Sequence, residues 1–190
     1  MSIKSDPWHF HRKMKNSFLL GLVVIVSFIK YSQSFSLTTT SVVKKAPSEV
    51  FNFIATPTNW PSIVASSHSV KRSSVGGNPV DVPLNVGDYV EEIFGLPPLL
   101  PLSVVWECVV AKESSGELQF YSKNGVPNFA RNCSMKFKIA AADGASNSGT
   151  NVELVMGYEA LNPLVFFATP LLNVDNALAL KVLLPLAMEQ

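Results

Sequence analysis

Charge is scarce in this chain. Only 15% of its 190 residues are Asp, Glu, Lys or Arg, and 15 basic against 14 acidic side chains leave a formal net charge of +1. No overall positive field exists to hold a nucleic acid, and no excess of one sign would steer an acidic partner. Cysteine is scarcer still: Cys108 and Cys133 are the only two, too few for a disulfide framework. They read as small buried apolar residues, with a single bridge as the alternative. Past the N-terminal segment one histidine remains, His68, set among serines; an exposed loop residue describes it better than a catalytic base. Past that segment there is no Cys-x-x-Cys, no histidine pair at ligand spacing and no glycine-rich phosphate loop. The expectation is therefore no metal, no cofactor and no evident nucleophile.

What the sequence has is apolar surface, with 47% hydrophobic residues. Part of it stands at the start. Lys4, Arg12, Lys13 and Lys15 precede an unbroken apolar run, Phe18–Ile29, and Ser32-Gln33-Ser34 follows with small residues two apart. Basic region, short apolar run and small-x-small form the layout of a secretory signal. The run falls short of the roughly 20 residues of a transmembrane helix. The expected division is a targeting segment over 1–34 and one domain over 35–190, with an uncleaved anchor as the alternative. Entry to the secretory pathway follows, ending in secretion or an endomembrane lumen. Phe35 followed by the hydroxyl-rich Ser36–Ser41 also resembles the bipartite presequences of algae with secondary plastids, which implies plastid delivery as a specific alternative. Asn132-Cys133-Ser134 matches a glycosylation sequon.

The rest alternates between strand and helix signals. Thr38–Lys45 reads as a strand, and Pro47 opens a helix whose Val50, Phe51 and Ile54 share a face. Pro57 breaks it, and a short turn runs through Ile63. Strands are expected over Ser69–Val75, Val86–Phe94, Ser103–Lys112, Glu117–Lys123, Asn132–Ala141 and Thr150–Tyr158. In the sixth of the seven expected strands, Cys133, Met135, Phe137 and Ile139 alternate with Ser134, Lys136 and Lys138, so one face meets a core and the other water. Thr169-Pro170 reads as the start of a last helix that ends near Leu184, before Pro185. Strands joined by short turns favour an antiparallel sheet. The fold class is α+β: a curved antiparallel sheet of six or seven strands, two short helices after the first, and a long C-terminal helix.

Four stretches in this order resemble the START-like, polyketide cyclase/dehydrase and lipid-transport superfamily (SRPBCC), which has the helix-grip fold. They are Ser41-Val-Val-Lys-Lys-Ala-Pro-Ser-Glu-Val-Phe-Asn-Phe-Ile54, Asn59-Trp60-Pro61, Leu84-Asn-Val-Gly-Asp88 and Gly149-Thr150-Asn-Val-Glu153. The resemblance covers about residues 38–188. It implies a sheet wrapped around the last helix with an internal cavity for a lipid, sterol, quinone, pigment or polyketide-like molecule. One departure stands out: the last helix is apolar nearly all round, with only Asp175 and Lys181 charged, and such a helix needs cover on every side.

The chemistry-bearing candidates are few. Alternation puts Asp88, Val90, Glu92 and Phe94 on one face of their strand, and Tyr89, Glu91 and Ile93 on the other. Glu92 or Glu91, turned into an apolar cavity, would have a raised pKa and could serve as acid or base, as could Tyr158. The preferred expectation is that both glutamates turn to solvent. Cavity-wall candidates are Phe94, Leu99, Trp106, Cys108, Phe120, Met135, Phe137, Met156, Tyr158 and Leu178; the plain alternative is a filled core. Arg131 could hold a ligand anion but reads better as a surface residue. The stretch 94–102, Phe-Gly-Leu-Pro-Pro-Leu-Leu-Pro-Leu, reads as an apolar connection at the cavity mouth. With the last helix it forms a candidate membrane contact. The expected function is binding or transfer of a small hydrophobic ligand, without catalysis. A cyclase or dehydratase using a cavity carboxylate, and a module that binds a protein partner, are the alternatives.

Overall fold

The computed structural model describes residues 32–73, 79–96, 100–142 and 149–189. Residues 1–34, expected to be a targeting segment, lie outside them except for Ser32–Ser34. The first strand, β1 (Gln33–Val43), leads into α1 (Pro47–Ala55), a 3-10 turn (Pro57–Asn59) and α2 (Trp60–Ile63). Six strands follow: β2 (Ser67–Arg72), β3 (Tyr89–Leu96), β4 (Leu100–Lys112), β5 (Glu117–Ser122), β6 (Ala130–Ala141) and β7 (Thr150–Ala160). The chain ends in a long helical stretch: α3 (Leu164–Leu178), a π-helical turn (Ala179–Leu183) and α4 (Leu184–Glu189).

All seven strands form one antiparallel sheet in the order β1-β7-β6-β5-β4-β3-β2. The strands nearest in sequence at the start, β1 and β2, therefore occupy opposite edges, and α1 and α2 span the gap between them. Local chemistry sets this crossover. Pro47 takes the first helical position, and the Glu49 carboxylate accepts a hydrogen bond from the Ala46 amide at 3.0 Å. Val50, Phe51, Ile54 and Ala55 are buried. Trp60 ties the short helix back by donating its indole N–H to the Ile54 carbonyl at 2.8 Å. Burying each large apolar side chain contributes about 1.5–3 kcal/mol.

Several expected boundaries move. β1 starts at Gln33, well before Thr38 and two residues inside the segment expected to be removed. It pairs with β7 along its whole length, from Gln33 opposite Ala160 to Val43 opposite Thr150. Phe35 stacks on Tyr158 with ring centroids 5.3 Å apart, so this residue packs within the domain. The start of the fifth-last strand shifts as well: Val86–Asp88 form a turn with Gly87 at φ 92°, and β3 begins at Tyr89. The apolar stretch 94–102 is largely not a loop. β3 and β4 pair out to Leu96 opposite Leu100, so their ends form a hairpin arm; Leu99 lies outside the described residues.

The last helix begins at Leu164, not at Pro170. The Asn162 side-chain oxygen accepts from the Leu164 amide at 2.9 Å, and Pro163 stands at the cap. Pro170 sits inside the helix, where it removes one donor. The helix also passes Pro185. The π-helical turn immediately before it adds a residue to the ladder, with the Leu184 amide bonding to Ala179 O, and this accommodates the proline's missing N–H. Cover on every side is not what the helix finds. Asn176, Ala179, Leu180 and Leu184 are buried, whereas Leu164, Phe167, Leu171, Val174, Leu178, Val182 and Leu186 are exposed at spacings of three and four.

Gly116 makes the tightest backbone approach. It has φ 65°, its carbonyl accepts from the Ile139 amide at 2.8 Å, and a Cβ there would lie 1.7 Å from the Ile139 oxygen. Gly116→Ala combines left-handed strain with a backbone clash, so urea unfolding should show a loss of at least ~2 kcal/mol. A loss below ~0.5 kcal/mol would mean that the β4–β5 connection is free to rearrange.

Candidate functional site

Between the concave face of the sheet and the last helix lies a cavity of about 220 Å³. β3 to β7 supply one wall through alternate residues, and α3 with the π-helical turn supplies the other. The alternation read in β6 and β7 holds: Cys133, Met135 and Phe137 line the cavity, as do Leu154, Met156 and Tyr158. Trp60 closes one side. Its ring meets Phe120 edge-on at 5.1 Å, and Phe120 meets Phe137 edge-on at 6.4 Å. Such pairs add about 0.5–1.5 kcal/mol beyond the area they bury.

Of the expected wall residues, Phe94, Trp106, Phe120, Met135, Phe137, Met156 and Tyr158 come together here. Cys108 does not. It keeps to the inner face of β4 with Trp106, opposite Phe120, but its fully buried thiol lies against the Leu84 carbonyl, outside the cavity lining. Leu178 does not either: it lies on the outer face of the helix, 37% exposed.

The two glutamates separate, contrary to the expectation that both face water. Glu91 points outward and pairs with Lys71 at 3.4 Å. Glu92 points inward and is 7% exposed. The cause is regular pleating, since Val90, Glu92 and Phe94 keep to one face of β3. The indole N–H of Trp106 donates to Glu92 Oε2 at 2.9 Å. Trp106 sits opposite Val90, a diagonal neighbour of Glu92 on the same face. Burial raises the Glu92 pKa above its usual value; the bond from Trp106 and the nearby Ser67 oppose the rise, and the charge of Asp175 adds to it. Asp175 reaches the same place from α3 and accepts a hydrogen bond from Ser66 Oγ at 2.6 Å.

Tyr158 is held by the helix. Its hydroxyl lies 2.8 Å from Thr169 Oγ1, and Thr169 donates to the Val165 carbonyl at 3.0 Å. With the Thr169 proton so placed, Tyr158 is the donor of this pair, which ties up the proton it would need as an acid. Both cysteines are free and buried, and burial pushes each thiol up to about 11, which disfavours a thiolate nucleophile. His68 is exposed on β2, its Nε2 3.1 Å from Gly95 O. Arg131 is a surface residue: its guanidinium grips Glu159 in two bonds of 2.9 and 2.7 Å, and Asn132 and Ser32 join the same carboxylate. The pairing holds the Glu159 carboxyl down at about 2.

Sequence reasoning missed Asp175, Asn176, Ser66 and Trp60 as cavity residues. One signal existed for Asp175: it is the only acid in Leu164–Leu178, on the turn before the buried Ala179 and Leu180. Trp60 appeared only as a family landmark.

No family model matches the sequence, and no curated protein does. The three-dimensional likenesses are firm. Ara h 8.0201 superposes with a TM-score of 0.56 at 14% identity, over 83% of this chain and all of that one. The Zhui aromatase/cyclase of Streptomyces sp. R1128 reaches 0.62 at 11% identity, over 83% of this chain and 95% of its own. Major latex-like protein 151 of Panax ginseng reaches 0.52 at 16% identity, over 76% and 94%. This chain has the helix-grip fold. At such identities the likeness fixes the helix-grip architecture, and the chemistry rests on the cavity itself.

The position of Glu92 has a measurable consequence. A carboxyl with a raised folded-state pKa lends stability below its unfolded pKa, near 4.5, and loses it as pH rises through the folded value. Glu92→Gln keeps an oxygen for Trp106 and removes that loss. The variant should therefore match the parent near pH 4 and exceed it in thermal stability at pH 7–8. Equal pH profiles for the two proteins would show that Glu92 is not desolvated.

Proposed function

We propose that this helix-grip domain binds a small hydrophobic molecule in its cavity and carries it, without transforming it. The observation that bears most weight is the cavity: apolar and aromatic side chains on both walls, closed by the last helix. Pockets of this character take ligands of limited size, and the START-like resemblance implies lipids, sterols, quinones, pigments or polyketide-like molecules. We also propose that residues 1–34 direct the chain into the secretory pathway.

A second reading has an observation of its own. Glu92 faces the cavity with a raised pKa, as a general acid or base requires, and one structural relative is named as an aromatase/cyclase. The carrier reading ranks first because Trp106 already occupies one oxygen of Glu92 and Tyr158 is bound to Thr169.

Met135→Trp would fill the cavity from β6. Titration with the neutral fluorophore N-phenyl-1-naphthylamine should show binding to the parent protein and affinity at least ~10-fold weaker in the variant, with far-UV circular dichroism unchanged. Equal affinity would place the ligand elsewhere and remove the proposal.

Exchange requires an apolar contact, and the outer helix face offers one. Leu164–Glu189 is 26 residues, long and apolar enough by length and composition to cross a membrane, but its inner face closes the cavity. Lying on a bilayer suits both faces. The Phe167→Ser, Leu171→Ser protein should lose flotation with phosphatidylcholine vesicles while binding the fluorophore as before. Undiminished flotation would discard the docking surface.

A further inference from the structure

The cavity is apolar but not uniformly so. Glu92 and Asp175, carried by opposite walls, approach closely enough for the charge of one to act on the other. Neither has a cationic partner within the cavity, where no Lys, Arg or His appears among the described lining residues. Their neighbours are neutral donors: the Trp106 indole on Glu92, and the Ser66 hydroxyl on Asp175. A third donor, the hydroxyl of Ser67, is 5% exposed, lies beside Glu92 and completes no hydrogen bond of normal geometry. A filled, self-sufficient core would not bring two acids without a cationic partner to one apolar cavity.

We propose that the ligand is an amphiphile whose polar end donates hydrogen bonds, an amine in preference to an alcohol, and that carboxylate amphiphiles such as fatty acids are excluded. This deepens the carrier reading and rests on it. The Asp175 carboxylate accepts only, and Glu92 keeps an acceptor oxygen whether or not it holds its proton, so a head group that donates fits both. A charged amine also neutralises part of their mutual repulsion in a setting where screening by water is weak. An anionic head would add a third negative group to a space holding two acids and no base. The apolar remainder of the ligand lies against Met135, Phe137 and Met156.

Three probes with one alkyl chain and different heads separate these effects: decylamine, 1-decanol and decanoate, each titrated calorimetrically below its micelle concentration at pH 7. The expected order is decylamine tightest, decanol between, and decanoate at least ~10-fold weaker than decylamine. In Asp175→Asn the gap between amine and carboxylate should narrow by ~3-fold or more, and in Glu92→Gln, Asp175→Asn it should close. Decanoate binding as tightly as decylamine would overturn the head-group proposal alone, as would a preference that survives in the folded double variant. Absence of binding by all three would instead overturn the carrier reading beneath it.

Discussion

A curved antiparallel sheet has to cover its concave face, and here one helix must do it. The strand order leaves β1 and β2 as the two edges, so neither closes the curve by pairing with the other. The helix lies in the concavity, and α1 and α2 link the edges at one end. Every other feature adjusts to this placement. Asn162 caps the helix well ahead of Pro170, the Tyr158 hydroxyl donates to Thr169, and the π-helical turn carries the helix past Pro185 with Leu180 and Leu184 still inward. Where the two curved surfaces do not meet, a cavity remains.

Much of this could be read in the residues because antiparallel strands with one wet face alternate. Met135 and Phe137 against Lys136 and Lys138 disclosed both the strand and the inner face. Pro47 and Glu49 disclosed the first helix for an equally local reason. What failed to show depended on distant partners. Thr169-Pro170 has the composition of a helix start, yet Asn162-Pro163 supplies the actual one, and the Thr169 hydroxyl bonds to Tyr158 of β7 and to the Val165 carbonyl instead of capping. Cys108 shares the inner face with Trp106, but its thiol is covered by Leu84, a partner from outside the strand, and that withdrew it from the cavity wall. The apolar stretch 94–102 lacks the alternation of a wet-faced strand, so pairing between β3 and β4 was hidden in it.

The glutamates show the same limit from the other side. Period two alone separates Glu91 from Glu92, and it was right. Turning both outward seemed cheaper because an isolated buried carboxylate is costly. The cost is reduced by Trp106, a diagonal neighbour on β4 whose indole cannot be foreseen as a partner until the register is known. Asp175 then arrives from a third element and raises the cost again.

A domain shaped only by stability would not keep that arrangement. Replacing a buried polar group by an apolar one of similar size is often neutral or stabilising, and the walls around Glu92 are otherwise apolar. The acid is also not needed to align β3 with β4, since backbone pairing runs uninterrupted from Tyr89 to Leu96. A role for Glu92 is thus better sought in what enters the cavity. The outer face of the helix supports the same direction of thought. Its exposed apolar residues add nothing to the core, and the face opposite them is the one that closes on the cavity.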